Sequence, residues 1–491
     1  MITAVKRSAF PDFRASTFDD RKLYLSVIFM ILLFKIAVLL IWGPGVAPDT
    51  GGYTRFAELI LESSDWLTDA GLEDSAMPTT VFRIAGYPMF IALTQLISSE
   101  NWQWIVVLSQ FLLSAVSLYS LSRLISALGM KPFWGAFCLL ATGLSFSLLL
   151  DSMILTDSFA TSLFVIVLSE NAVATLRGRP FGFVQALLFG MLITLGFLVR
   201  EGVAILSILF VIPFLVRAFV AEKQRWKSCA AIAVFFIPLI VATQLYKTWN
   251  EDRTGYSFIT SGSQTIYMVG LVDAAEKDQR IFSGNEPVDI TAREKLSNYS
   301  FSEVLAVQWS LFEQGCVAPE LANISKQKYF ESWVNYPGSM LRMTIGHIRE
   351  NYATLTFRPF GAIRETGFWI HGEKPWPDYR ELRESMFDDA AAFALFSGEM
   401  VERVIAIIIT VAFVILPIVW LVRLYLGKNV CKREVLVCAA LWAVYFGVLF
   451  AHALVHLETR YLAPVVPFST LIGCFYLQRI FDRKKVLDAS S

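Results

Sequence analysis

The feature that most constrains this chain is a recurring block of roughly 20 apolar residues, the length an α-helix needs to cross a bilayer. Such blocks read at 23–43, 103–124, 132–150, 158–176, 181–199, 202–220, 228–248, 401–423, 434–453 and 461–479. Only 17% of the 491 residues are charged, against about 25% in soluble domains. That leaves too few charges to cover a water-soluble protein of this size. The fold class expected is an all-α polytopic membrane protein with about ten transmembrane helices. The formal net charge is +0, so nothing argues for a nucleic-acid partner. Cys138, Cys438 and Cys474 lie in apolar runs, Cys229 and Cys431 beside basic segments, and Cys316 alone in a polar stretch. No disulfide framework follows.

The distribution of Lys and Arg orients the spans. Lys6, Arg7, Arg14, Arg21 and Lys22 precede the first block, and that prefix is too long for a cleaved signal peptide. A further apolar run at 82–98 is short and broken at Gly86-Tyr87-Pro88, as suits a re-entrant or interfacial helix. If it does not cross, one side collects Arg123, Lys131, Arg177, Arg179, Arg217, Lys223, Arg225, Lys227, Arg423, Lys428, Lys432 and Arg433, with a tail of Arg479, Arg483, Lys484 and Lys485. The other side keeps little beyond Arg55, Arg83, Arg200 and Arg460. Both termini are then cytoplasmic. The expected division is a transmembrane module over 1–249, an outer (periplasmic) cap over 250–400 that is helical around 323–352, and C-terminal spans over 401–491. No internal repeat is visible.

Five polar stretches meet on the outer face of that topology. They are Pro48-Asp49-Thr50-Gly51-Gly52-Tyr53, Arg83 to Pro88, Asp151 with Thr156-Asp157-Ser158, Arg200-Glu201-Gly202, and His452 through His456, Glu458, Arg460 and Tyr461. Ionisable groups at membrane depth are costly and mark sites or pathways. Each has a plainer reading. Asp49, Thr50, Thr156 and Asp157 suit helix caps, Arg200–Glu201 an interfacial anchor, and Glu458–Arg460 a local pair. His452 and His456 have the i,i+4 spacing of metal ligands but are read as structural. Lys35, inside the first span, requires a partner or must snorkel.

The ordered series Pro-Asp-Thr-Gly-Gly-Tyr, Arg-Ile-Ala-Gly-Tyr-Pro, Leu-Thr-Asp-Ser-Phe, Arg-Glu-Gly and Glu-Thr-Arg-Tyr-Leu-Ala-Pro-Val-Val-Pro resembles the GT-C superfamily of membrane glycosyltransferases. The nearest branch is the bacterial proteins similar to protein O-mannosyltransferases and the lipid A aminoarabinose transferase. The likeness covers about 20–220 and 430–480. It implies interfacial helices in the first outer loop and a site at the outer face of the cytoplasmic membrane. It also implies a polyprenyl-phosphate sugar donor and an envelope glycan, lipid or protein as acceptor. Asp49 matches the family's first-loop acid and Asp157 its second. Arg83 and Tyr87 match a motif near the substrate cavity, and Arg200 the position that holds the lipid phosphate. Tyr53, Glu201, His456, Glu458, Arg460 and Tyr461 complete the expected donor-binding set. Many members carry two adjacent acids in the first loop, whereas Pro48 and Thr50 flank Asp49 here. A single carboxylate suits a general base better than a hard cation, so neither metal nor other cofactor is expected. The expected roles are Asp49 as base, Asp157 as supporting carboxylate or acceptor orienter, and Arg200 with Arg460 on the phosphate. The rivals are a transporter or flippase of lipid-linked sugars and a glycan polymerase or ligase.

Overall fold

The computed structural model describes residues 18–221, 224–351, 358–387, 389–427 and 430–488. Lys6, Arg7, Arg14, Lys223 and Lys428, used above for orientation, lie outside the described residues. The chain is helical throughout: among the described residues there is no strand, only an isolated parallel bridge between Gly45 and Met153.

In chain order, helix α1 (Phe18–Trp42) leads into the amphipathic α2 (Thr50–Glu62), the single turn α3 (Thr79–Phe82) and the short α4 (Gly86–Ile97). Next come α5 (Trp102–Ala127), α6 (Pro132–Leu144), α7 (Phe146–Ser152), α8 (Thr156–Leu176) and α9 (Phe183–Val199). Then follow α10 (Gly202–Leu206), α11 (Val211–Val220) and α12 (Arg225–Thr254). Seven helical stretches are long and apolar enough to cross a membrane: Asp19–Trp42, Trp102–Ala127, Thr156–Leu176, Gly202–Val220, Arg225–Thr254, Ala390–Tyr425 and Lys432–Ala453. These fit a polytopic membrane protein. The outward side chains agree, since Leu40 and Ile41 on α1 are 70% and 73% exposed. Exposed apolar surface of this kind suits a lipid environment.

Two of the remaining expected spans are shorter than the sequence suggests. The block 132–150 breaks at Ser145 between α6 and α7. Helix α9 has 17 residues, about 26 Å at 1.5 Å per residue. Helix α4 has 12 residues, about 18 Å, too short to cross, as its interrupted sequence predicts.

Lys35 has its partner. It is 1% exposed, and its Nζ lies 2.5 Å from Asp151 Oδ2 and 3.1 Å from Ser114 Oγ. Asp151 Oδ1 accepts from Ser158 Oγ at 2.6 Å. Asp151 therefore belongs to the packed interior and not to the polar face where the sequence reading put it. Arg217 also departs from its reading as a loop charge. It is buried, and its guanidinium donates to the carbonyls of Arg179 and Pro180 and to the side chains of Asn171 and Gln185.

Helices α13 (Ser263–Ala275), α14 (Pro287–Lys295), α15 (Phe301–Glu313), α16 (Ala318–Asn335) and α17 (Pro337–Asn351) form a separate body. It has its own apolar core, including Met268, Leu271, Val304, Leu311, Leu321 and Met340. The helical stretch expected around 323–352 is two helices, because Tyr336 leaves helical geometry (φ −132°, ψ 50°) ahead of Pro337. The chain then returns through α18 (Pro359–His371), α19 (Tyr379–Ser385), α20 (Ala390–Tyr425), α21 (Lys432–Ala453) and α22 (Val466–Asp488). Since α12 continues to Thr254 and α20 begins at Ala390, the intervening segment is shorter than 250–400 at both ends. This body grips the turn after α21: the Tyr329 hydroxyl donates to the Leu454 carbonyl. Gly270 packs so closely on Val455 that a Cβ there would lie 2.5 Å from its carbonyl oxygen.

The bundle has two chemically distinct ends. At one, Arg123 pairs with Glu170, Arg479 with Glu434, and Arg433 donates to the Leu176 carbonyl. Helix α8 starts at the other end, and there the loops carrying Asp49, Arg83, Asp157, Arg200 and Arg460 meet.

Candidate functional site

The loop after α1 is fixed by its backbone. Gly45 N donates to the Ser152 carbonyl at 2.8 Å, and Ile154 N donates to Gly45 O at 2.9 Å. Thr50 Oγ1 donates to the Ile154 carbonyl and accepts from Ala47 N, both at 2.9 Å. These bonds bring the start of α2 to the start of α8. Asp49 occupies the cap position of α2, yet its side chain makes no capping bond. Its carboxylate bridges two arginines instead: Arg83 Nη2 lies 2.7 Å from Oδ1 and Arg460 Nη1 2.7 Å from Oδ2. The capping explanation of Asp49 is thereby removed.

Each arginine is held in turn. Arg83 follows α3 in extended backbone (φ −113°, ψ 144°). Two residues on, Ala85 N donates to Tyr246 Oη at 3.0 Å. Gly86 sits so tightly on α9 that a Cβ would approach Leu198 O to 2.2 Å. Arg83 lies over the Tyr53 ring, 4.8 Å from its centroid. Its Nε is buried with no hydrogen-bond partner among the described residues. Arg460 belongs to the single turn Thr459–Leu462, and its Nε lies 2.5 Å from Glu458 Oε2. Glu458 Oε1 takes His456 Nε2 at 3.1 Å and Tyr461 Oη at 3.3 Å. The Arg83, Arg460 and Asp49 side chains are 21%, 22% and 27% exposed, so the cluster is partly open to solvent.

A second ion pair lies alongside. Arg200, at the end of α9, pairs with Asp157 in the first turn of α8. Arg200 packs over the Tyr461 ring at 5.1 Å, and the Asp157 charge also stabilises the Arg460 cation. Asp157 Oδ2 is buried and makes no hydrogen bond among the described residues. Tyr53 Oη and Thr156 Oγ1, 3.4 Å apart, join the two groups. Three arginines thus face three carboxylates in one partly buried cluster.

The electrostatics are lopsided. Burial pushes the Asp49 carboxyl up, but the guanidiniums of Arg83 and Arg460 outweigh it and hold the carboxyl down at about 2. Burial likewise opposes ionisation of Glu458, and the His456 hydrogen bond with the Arg460 charge brings it to about 2. Both carboxylates stay charged across the physiological range.

Asp49, Tyr53, Arg83, Asp157, Arg200, His456, Glu458, Arg460 and Tyr461 are therefore assembled in one place, although they come from five separate stretches. Glu201 borders them, with its Oε1 facing Gly262. Tyr87 is fully buried: its hydroxyl donates to Gln110 Oε1 at 2.8 Å, and its ring packs edge-on against Tyr53. It packs behind Tyr53. His452 stacks on Tyr461 with centroids 4.7 Å apart, whereas His456 turns towards His347. The metal pair suggested by their i,i+4 spacing is replaced by a different partnership. The sequence reading missed His347, Asp273 and Gln110. Each is one polar residue inside an otherwise ordinary helix, and the scarcity of histidine, four in the chain, was the only available signal for His347. No protein family, curated protein or solved structure matches the chain.

Proposed function

We propose that this protein is a glycosyltransferase of the GT-C type with about ten spans. It would take a sugar from a polyprenyl-phosphate carrier at the outer face of the cytoplasmic membrane and pass it to an envelope glycan, lipid or protein. The observation that carries this reading is the Asp49 carboxylate clasped by Arg83 and Arg460, with the Asp157–Arg200 pair beside it. Arginines at the membrane end of a helical bundle suit a phosphate whose lipid tail stays in the bilayer, because the guanidinium fork matches phosphate oxygens. Asp49 stands in for that phosphate in the resting site.

The clasp also sets the order of events. A carboxyl held at about 2 is a weak base at neutral pH. The donor phosphate competes for the same two guanidiniums, and a carboxylate released from them recovers basicity. Asp49 then accepts the acceptor hydroxyl's proton as that oxygen attacks the anomeric carbon. The bond to the phosphate oxygen breaks, and the phosphate leaves on Arg83, Arg200 and Arg460. Asp157 keeps Arg200 aligned.

The test is turnover of a polyprenyl-phosphate sugar by the purified protein in lipid nanodiscs, with release of polyprenyl phosphate as the readout. The expected loss on Asp49→Asn is at least about a hundredfold. Full transfer by Asp49→Asn would sink the base assignment. Movement of intact donor across the bilayer without sugar release would sink the enzyme reading in favour of a flippase.

A further inference from the structure

The contacts of two histidines reach beyond the arginine cluster. His347 on α17 is 9% exposed, and its Nδ1 lies 2.9 Å from the Ala453 carbonyl. A carbonyl only accepts, so Nδ1 carries the proton. In the neutral ring Nε2 then presents a lone pair, yet it faces Asp273 Oδ2 at 3.1 Å. Two lone pairs at that distance repel unless a cation, either a proton or a metal ion, sits with them.

His456 shows the complementary pattern. Its Nε2 faces Glu458 Oε1 at 3.1 Å, while its Nδ1 is buried with no hydrogen-bond partner among the described residues. One ligand atom from each of Asp273, His347 and His456 lies within 4.8 Å of the other two. The two imidazole rings meet edge to face, with centroids 6.1 Å apart. A proton between His347 and Asp273 satisfies that pair but leaves His456 Nδ1 orphaned. A metal ion among the three satisfies all of them.

We propose that Asp273, His347 and His456 form a binding site for a divalent transition-metal ion of the zinc class. Two imidazoles and one carboxylate favour zinc-like ions over magnesium or calcium, which prefer oxygen ligands. Three protein ligands leave one tetrahedral position for water or another oxygen. Metal–ligand bonds of about 2.0–2.1 Å set ligand atoms roughly 3.3 Å apart, so the group closes on the ion by side-chain rotation. The Asp273 side chain is 36% exposed, which gives it freedom to turn and the ion a way in. The far nitrogens are already oriented, one on a backbone carbonyl and the other on a carboxylate, the outer contacts that metal-binding histidines make.

The position of the site gives it a use. Asp273 and His347 belong to the separate helical body, and His456 to the turn that carries Glu458 and Arg460. The ion would pin that turn, and through Glu458 it would fix the angle at which Arg460 meets Asp49. Metal binding is measured without substrate, so the inference stands or falls apart from the transfer reading.

The experiment uses full-length protein without a histidine tag, purified in detergent. The protein is stripped with chelator, incubated with Zn2+, desalted and assayed by elemental mass spectrometry. About one zinc per chain is expected for wild type and for His371→Gln, a histidine outside the group. His347→Ala and Asp273→Asn should lose it. If the size-exclusion profile of His347→Ala shifts, His347→Gln takes its place, since its amide retains a donor for the Ala453 carbonyl. Glu458→Gln keeps all three ligands and should bind zinc about 10–100-fold more weakly. Wild type that retains no zinc, or zinc undiminished in His347→Ala and Asp273→Asn, overturns the site. Unchanged affinity in Glu458→Gln overturns the link to Arg460.

Discussion

The Lys35–Asp151 pair offers the sharpest energetic test. The two side chains are 2% and 4% exposed, and their charged atoms lie 2.5 Å apart. Lys35→Met leaves the Asp151 carboxylate inside the bundle with only Ser158 to support it. Asp151→Leu strands the ammonium beside Ser114. Removing one member of a buried pair costs about 3–5 kcal/mol, while replacing both with apolar residues of similar volume is close to neutral. At about 2.1 cal/mol/K per residue, the unfolding entropy of 491 residues is about 1 kcal/mol/K. Each single variant should therefore lower the apparent melting temperature by about 3–5 °C. The double variant Lys35→Met/Asp151→Leu should return to within about 1 °C of wild type. Thermal unfolding in detergent with a thiol-reactive dye reads this in a background with Cys229, Cys316 and Cys431 replaced by Ser, since the free thiols of Cys138, Cys438 and Cys474 are buried until the bundle opens. Additive losses in the double variant would refute the reasoning, because they would mean that the two charges do not depend on each other.

Other expectations follow from the site. Asp49 and Glu458, ordinarily at 3.8 and 4.5, are both held at about 2; such depressed carboxylates stabilise the fold above their ordinary values and lose that contribution as pH falls through the folded ones. The melting-temperature gap between wild type and Asp49→Asn/Glu458→Gln should be constant from pH 8 to about 5 and shrink between about pH 4.5 and 2, and a gap that already closes at pH 6 would contradict the clasp. Arg460→Lys replaces the two guanidinium nitrogens that meet Asp49 Oδ2 and Glu458 Oε2 with one ammonium; under the proposed function, polyprenyl phosphate binding measured by calorimetry should weaken about tenfold or more. Gly86→Ala forces a Cβ to 2.2 Å from Leu198 O, so it should cost about 1–3 kcal/mol, visible in the same dye assay.

Much of this arrangement was legible in sequence because lipid punishes polar groups. Asp49, Arg83, Asp157, Arg200 and Arg460 stood out against apolar surroundings, and their position at span ends brought them to one side. The pairings were not legible. Asp49 could be read as a helix cap, and only coordinates show that Thr50 takes the local backbone contacts while Asp49 reaches Arg83 and Arg460. Asp151 misled for the same reason: it adjoins the Thr156–Ser158 stretch in sequence but turns inward to Lys35, 116 residues away. Span lengths failed where hydropathy ran through a helix break, as at Ser145, since apolar composition does not register a change of backbone direction. The small helical body was the least legible part, because among its helices only the rare His347 stands out to mark a role.

The clasp joins residues 411 positions apart. A ribosome adding about 5–20 residues per second takes roughly 20–80 s to travel from one to the other. During that interval the first loop is already made and has no Arg460 to meet. The cluster is therefore complete only once the last hairpin is inserted: an interrupted chain holds the residues of the Asp49–Arg83 and Asp157–Arg200 pairs but lacks Glu458 and Arg460. Chains cut just before that turn should keep those two pairs and lack the Arg460 arm of the clasp. Two halves expressed separately should regain it only by finding each other in the bilayer.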